Sequence, residues 1–324
     1  MKALVCEQYG TVETLKLQSQ TLAELQAGEV LLDIKAAGLN FPDALTIAGL
    51  YQVKPPLPFI PGIECAGVVA KVGEGVSNVK VGDRVIAVTQ LGAFAEQVIC
   101  KANILLPMAD NMSFEQAAGF CITYATSYYA LKQRAKLQAG ETVLVLGAAG
   151  GVGVTAIQIA KLMGAKVIAA ASTDEKLNFA KEVGADECIN YSTENLKERI
   201  KALTCGKGVD VVYDPVGGDY SEQAYRAIAW YGRYLVIGFA AGDIPKLSLN
   251  LPLLKAGDIL GVYWGGWAMR DPKGSNQNFI ELLALVAQGK LKPLTNQVFD
   301  FKDYEQAFNC LTKRQAKGKV ILKM

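Results

Sequence analysis

Histidine is absent from all 324 residues. That one gap excludes a Ser-His-Asp triad and any His-ligated metal site. It leaves Tyr, Lys, Asp, Glu, Cys or water as candidates for a general acid. Cysteine is present but poorly placed for metal or disulfide work. Cys6, Cys65, Cys100, Cys121, Cys188, Cys205 and Cys310 are odd in number, and no two stand at CxxC spacing. A zinc ribbon and a disulfide framework are therefore not expected, and reduced thiols in the cytoplasm are the plainer reading. No run of about 18 charge-free apolar residues occurs, so no membrane span is expected. The N-terminus reaches Glu7 without the apolar core of a signal peptide. Neither sign of charge dominates: 33 basic and 31 acidic residues leave a net charge of +2. The basic footprint of a nucleic-acid binder is thus missing. There is no fixed-period repeat and no low-complexity tract.

What is present reads as a folded chain. Hydrophobic residues make up 51% and charged residues 20%, and the length suits two domains. Residues 1–122 carry short, β-branched, glycine-punctuated segments at 29–35, 67–73 and 83–88, the pattern of a small barrel or sandwich. The run Lys54-Pro55-Pro56-Leu57-Pro58 marks a rigid loop. From about residue 123 strands and helices alternate. Val143-Leu144-Val145-Leu146 is apolar throughout, as in a strand buried on both faces. A helix follows, with Val152, Ala156, Ile159, Ala160 and Met163 at helical spacing. The unit repeats with strands at 166–171, 187–190, 209–213, 233–237 and 258–263. Helices are predicted between them, the first opening with Ser172 and Glu175 at capping-box spacing and ending at Gly184. The expectation is an α/β protein with a doubly wound parallel sheet and a second, β-rich domain. A helix over 279–288 and strands at 298–301 and 319–322 are expected to return to the first domain.

The segment Gly147-Ala148-Ala149-Gly150-Gly151-Val152-Gly153 joins the first buried strand to its helix. Small residues let backbone approach a pyrophosphate, and the helix N-terminus offers unpaired N–H groups and the positive dipole end. Ala148 stands where the first glycine usually does, and Gly150 and Gly153 keep the other two. A plain tight turn is the alternative, but the strand–helix context favours a dinucleotide. An NAD site usually ends the second strand with an acid that accepts from the ribose 2′-OH. This strand ends Ala170-Ala171-Ser172-Thr173, so repulsion against a 2′-phosphate is removed. Lys176 offers that phosphate an ion pair, and Tyr191, at the end of the third strand, a hydroxyl. A solvated helix face is the alternative reading of Lys176. The nucleotide expected is NADPH.

With that turn behind a β-rich domain, the chain resembles the medium-chain dehydrogenase/reductase superfamily, and within it the quinone oxidoreductase (zeta-crystallin-like) branch. The markers are Ala36-Ala37-Gly38-Leu39-Asn40-Phe41-Pro42-Asp43, Gly49-Leu50-Tyr51, Pro61-Gly62-Ile63-Glu64, Val81-Gly82-Asp83-Arg84-Val85, Tyr213-Asp214-Pro215-Val216-Gly217-Gly218 and Gly261-Val262-Tyr263-Trp264-Gly265. The resemblance implies a GroES-like substrate domain over 1–122 and 266–324, a Rossmann domain over 123–265, and NADPH in a cleft between them. Zinc-dependent relatives carry Cys where this chain has Asn40 and His where it has Ile63. Their third ligand falls near Ile122, and their four-cysteine lobe is missing, so no metal is expected. Without a Lewis acid to hold an alkoxide, reduction of a quinone or enone is the reaction implied.

The same resemblance suggests roles residue by residue. Asn40 and Tyr51 would line the substrate cleft and donate to a carbonyl oxygen as charge develops; a loop cap and packing on the proline segment are the structural alternatives. The cofactor set would comprise Asn40, Thr126, Ala149, Gly150, Gly151, Val152, Gly153, Ser172, Lys176, Tyr191, Gly238, Phe239, Tyr263, Trp264, Gly265 and Arg314. Arg314 also reads as an exposed helix-end residue. A tyrosine that some relatives carry five residues after the asparagine is Leu45 here, so water is left as a proton donor. An enoyl-thioester or 2-alkenal reductase, and a non-catalytic NADPH-binding protein, are the rival readings. A homodimer through the edge strand near 258–263 is expected.

Overall fold

The computed structural model describes residues 1–324, and the chain divides into two compact units: Met1–Ile122 with Leu283–Met324, and Thr123–Leu282. The return crossing lies at Leu283 and not at 266, because helices Trp264–Arg270 and Pro272–Ala287 begin on the second unit. Trp267 stacks on Tyr129 with ring centroids 4.4 Å apart. Glu281 accepts from Tyr128 Oη at 2.6 Å and pairs with Lys132 Nζ at 2.5 Å. The helix starts seven residues before its predicted apolar stripe because Pro272 is pre-set for a first turn.

The second unit is built on a six-stranded sheet in the order Glu187–Asn190, Lys166–Ala171, Thr142–Leu146, Val209–Asp214, Ile228–Val236, Asp258–Gly261. All five pairings are parallel. Val143, Leu144, Val145 and Leu146 have no exposed surface, which is why their run shows no alternation. Successive strands grow outward from Thr142–Leu146 on one side and from Val209–Asp214 on the other. The strand order therefore reverses between these two, the place where such sheets open a crevice at their carboxyl ends.

In the first unit a sheet runs in the order Thr295–Asp300, Lys319–Lys323, Glu29–Leu39, Glu64–Val72, Arg84–Val88, Leu105–Pro107, with Gln97–Lys101 also paired to Glu29–Leu39. The C-terminal strand sits antiparallel to Ala36–Leu39, with Val320 opposite Leu39. The expected return of the chain is thus observed. Leu4, Leu32, Ile34, Val69, Phe94 and Phe308 fill the core, the two phenylalanine rings meeting edge to face at 5.7 Å.

Candidate active site

The glycine turn has the geometry that its sequence implies. Gly147 adopts φ 57°, a left-handed conformation that lets the chain leave the strand sharply. Gly150 caps the twelve-residue helix Gly151–Leu162 with extended backbone and no capping side chain. The first-turn N–H groups of Gly151, Val152 and Gly153 are the orphan donors of that helix. Gly153 is required by packing: a Cβ there would lie 2.4 Å from the Gly147 carbonyl oxygen and 2.8 Å from Ala148 backbone. Three buried hydroxyls brace the turn from behind. Ser127 Oγ lies 2.7 Å from Thr155 Oγ1 and 2.8 Å from Tyr213 Oη, and Thr155 Oγ1 donates to the Val152 carbonyl at 3.0 Å. Sequence reasoning missed this brace, since isolated hydroxyls on three elements carry no spacing signal.

The residues chosen for a 2′-phosphate come together. Ala171 pairs with Asn190 across the parallel ladder, and Tyr191 N donates to the Ala171 carbonyl at 3.1 Å. Ser172 and Tyr191 therefore leave adjacent strand ends. Lys176 Nζ reaches Ser172 Oγ at 3.4 Å, and the Tyr191 ring rests on Tyr220 at 4.2 Å. The helix Asp174–Val183 is capped by Thr173 and not by Ser172: Thr173 Oγ1 accepts from Lys176 N at 3.3 Å. This correction leaves Ser172 pointing at the lysine. Asp174 accepts from Asn190 Nδ2 at 2.8 Å.

Gly238 and Phe239 follow the strand Ile228–Val236 and line a cavity of about 220 Å³ with Val236 and Ile259. Gly238 N donates to the Asp214 carbonyl at 3.3 Å. The buried Asp214 carboxylate organises the neighbouring turn, accepting from Val216 N, Gly217 N, Ser221 Oγ and Tyr234 Oη. Thr126 lies half-buried on the helix Cys121–Tyr129. Tyr263 is 52% exposed; Trp264 and Gly265 open the helix Trp264–Arg270, with the buried Trp264 Nε1 lacking a partner.

In the other unit Asn40 caps the helix Phe41–Ile47, its N–H donating to Asp43 Oδ2 at 2.8 Å. Its side chain is buried and engaged: Nδ2 donates to Glu64 Oε1 at 2.9 Å and to the Gly38 carbonyl at 3.3 Å, while Oδ1 accepts from Lys319 Nζ at 2.5 Å. Lys319 Nζ also pairs with Glu64 Oε1 at 2.7 Å, and Glu64 Oε2 accepts from Ile122 N at 3.0 Å. Asp43 is 1% exposed and its Oδ1 has no partner. Burial pushes the Asp43 carboxyl up to about 7 against the pull of the Asn40 N–H and Lys319, and Glu64 adds to the rise. The sequence marked Asn40, Asp43 and Glu64 as a pattern but gave no hint of Lys319, which arrives from the C-terminal strand. Tyr51 is half-buried beyond the helix, its N–H donating to the Leu45 carbonyl at 3.2 Å. Arg314 is exposed, with φ 57°, just past the helix Tyr304–Thr312.

The residues around Asn40 do not suit zinc. Ile63 and Ile122 offer only hydrocarbon, the Asn40 carboxamide is already engaged, and no group of three His, Cys, Asp or Glu is arranged to hold a metal. Burial, with Glu64 and Cys65 beside it, pushes the Cys121 thiol up and disfavours the thiolate that a metal needs. The dinucleotide turn does fit its ligand, for the uncapped glycine N-terminus leaves its N–H groups for a diphosphate.

Comparison with known proteins agrees with both units. Residues 26–110 match the alcohol dehydrogenase GroES-like domain, and 151–288 match the zinc-binding dehydrogenase family. Quinone oxidoreductase-like protein 2 of Rattus norvegicus is 40% identical over 324 residues, covering 100% of this chain and 92% of that protein. The crystal structure of Escherichia coli quinone oxidoreductase complexed with NADPH aligns at a TM-score of 0.93 and 33% identity, covering 100% of both chains. A crystal structure of CurK enoyl reductase aligns at 0.90 and 30%, covering 100% of this chain and 99% of that one. A Rossmann unit with a glycine-turn nucleotide site and a GroES-like unit define a medium-chain dehydrogenase/reductase, and the chain belongs to that superfamily. Within the superfamily it falls in the quinone oxidoreductase branch.

Proposed function

We propose that this chain is an NADPH-dependent reductase that passes hydride, without zinc, to a quinone or a related α,β-unsaturated carbonyl compound. The observation that carries the reading is the uncapped glycine turn with Ser172, Lys176 and Tyr191 gathered beside a strand tip that bears no acid. Gly150, Gly151, Val152 and Gly153 would hold the diphosphate, with Ala149 packed beneath. Ser172, Lys176 and Tyr191 would hold the 2′-phosphate, and Thr126, Gly238, Phe239 and Tyr263-Trp264-Gly265 would hold the nicotinamide half. Arg314 is assigned to a phosphate. When bound, NADPH would supply the hydride from nicotinamide C4. A quinone spreads the charge it gains over its own π system, so a hydrogen-bond donor such as the Tyr51 hydroxyl is sufficient partner for its oxygen; the two Asn40 Nδ2 hydrogens are already given to Glu64 and the Gly38 carbonyl.

Turnover with NADPH and NADH against 1,4-benzoquinone, 9,10-phenanthrenequinone and crotonyl-CoA tests this. Quinones should be reduced fastest, and NADPH should be preferred. Lys176→Ala should cut the preference for NADPH about tenfold by removing one charge-assisted bond. Equal use of both nucleotides, or no loss in the variant, would remove the assignment. The likeness to CurK enoyl reductase supports a second reading, in which crotonyl-CoA is the faster acceptor. NADPH binding with no turnover of any electrophile would instead support a non-catalytic role.

We also assign the chain to a homodimer in the cytoplasm. Asp258–Gly261 ends the sheet with one edge open, Ile259 is 43% exposed, and all seven cysteines are free. Sedimentation should return twice the mass of one chain; a monomer at micromolar concentration would overturn the assembly.

A further inference from the structure

Four acidic or basic side chains of the chain are fully buried: Asp43, Glu64, Asp214 and Lys319. Three of them meet around the Asn40 carboxamide. A buried ion pair seldom adds stability over an apolar pair of similar size, so stability alone does not account for the group. The space is also prepared for it. A Cβ on Gly38 would lie 2.8 Å from Glu64 Oε1 and 3.0 Å from Lys319 Cε, and one on Gly119 would lie 2.6 Å from Lys319 Cγ. Pairing of the C-terminal strand with Ala36–Leu39 then sets Lys319 beside Asn40.

The charges read the two ends of the carboxamide differently. An ammonium group only donates and a carboxylate only accepts. Lys319 Nζ stands 2.5 Å from Asn40 Oδ1, and Glu64 Oε1 stands 2.9 Å from Asn40 Nδ2. Turning the carboxamide over would set N–H against the ammonium and oxygen against the carboxylate. Both contacts would be repulsive in a site that water scarcely reaches. The backbone of the same residue is pinned by Asp43 Oδ2.

We propose that Lys319 is a positioning residue for Asn40: with Glu64 it fixes which way the carboxamide faces in the reduction reaction. The role rests on the reading that Asn40 borders the bound cofactor and its acceptor. Charge, and not mere bulk, does the orienting, so a neutral pair of similar size should fill the space and lose the orientation.

The test uses the full-length protein. In Lys319→Gln/Glu64→Gln, kcat with NADPH and benzoquinone should fall about tenfold or more, while KM for NADPH stays within about threefold. Lys319→Arg should recover most of the loss. A double variant that keeps kcat within about twofold of wild type overturns the proposal. A second measurement reads the wild-type protein itself. With ¹⁵N-asparagine labelling, and the signal identified by its disappearance in Asn40→Asp, the wild-type Asn40 side-chain N–H pair should exchange with water about a hundredfold more slowly than exposed asparagines. Exchange as fast as theirs also overturns it. Wild-type protein that reduces no acceptor would count against the proposed function alone, because the exchange measurement would still decide whether the carboxamide is held in place.

Discussion

Between about pH 4 and pH 8 the wild-type protein should lose roughly 4 kcal/mol of unfolding free energy that an Asp43→Asn variant does not lose. The cause is the Asp43 carboxyl, which burial pushes from an ordinary carboxylate value up to about 7. A group whose pKa is raised by folding gives up a proton more readily in the unfolded chain. Its contribution is therefore fully present below the unfolded value and disappears as pH rises through the folded one. The unpartnered Oδ1 is the structural counterpart of this cost: the ionised form would leave a buried charged oxygen without a donor. The Asn40 backbone N–H, the nearby Lys319 and the Asn40 side chain oppose it, and Glu64 works against them. Urea denaturation of both proteins across that range, read as the difference between them, removes the surface groups common to both. A difference that stays flat with pH would show that Asp43 is ionised or solvated in the folded protein.

The second large effect should follow from one methyl group in the nucleotide turn. Gly153→Ala places a carbon 2.4 Å from the Gly147 carbonyl oxygen, a backbone atom that can retreat only by moving the turn. Overpacking of this kind costs about 1–3 kcal/mol, and here it displaces the donors expected to hold the diphosphate. NADPH affinity should fall by about a hundredfold, or roughly 2.7 kcal/mol, in a calorimetric titration. Gly150→Ala is the contrast. Gly150 has an ordinary negative φ, and its nearest Cβ neighbour is 3.3 Å away, so folding should survive with a loss of about tenfold in affinity. If Gly153→Ala binds NADPH within about threefold of wild type, the turn does not grip the cofactor as proposed.

The second unit was legible because its signals are local. The uninterrupted run Val143–Leu146 is apolar on both faces since both are buried, and the glycine turn follows it directly. Ser172, Lys176 and Tyr191 could be chosen together because parallel strands end side by side, so residues just past successive strands become neighbours. Where the reading slipped, a nearby alternative was equally good chemically. Thr173 caps as well as Ser172 would, and only the path of the chain out of Lys166–Ala171 selects between them. The return crossing at Leu283 was hidden because it depends on which neighbour the Trp267 ring and Glu281 find, and both partners lie about 140 to 150 residues earlier in the chain.

The sequence by itself determined the absence of an imidazole, the alternation that builds a parallel sheet, and the small-residue bend that opens a helix to an anion, since composition, period and spacing are properties of the chain alone. Tertiary structure decided the surroundings of Asn40. Strand pairing brings Lys319 across 279 residues to the carboxamide, and burial turns Asp43 and Glu64 from two ordinary acids into one weak acid and one ion-pair partner. The physical reason is that charge energetics depend on distance and dielectric, and neither exists until the fold has closed.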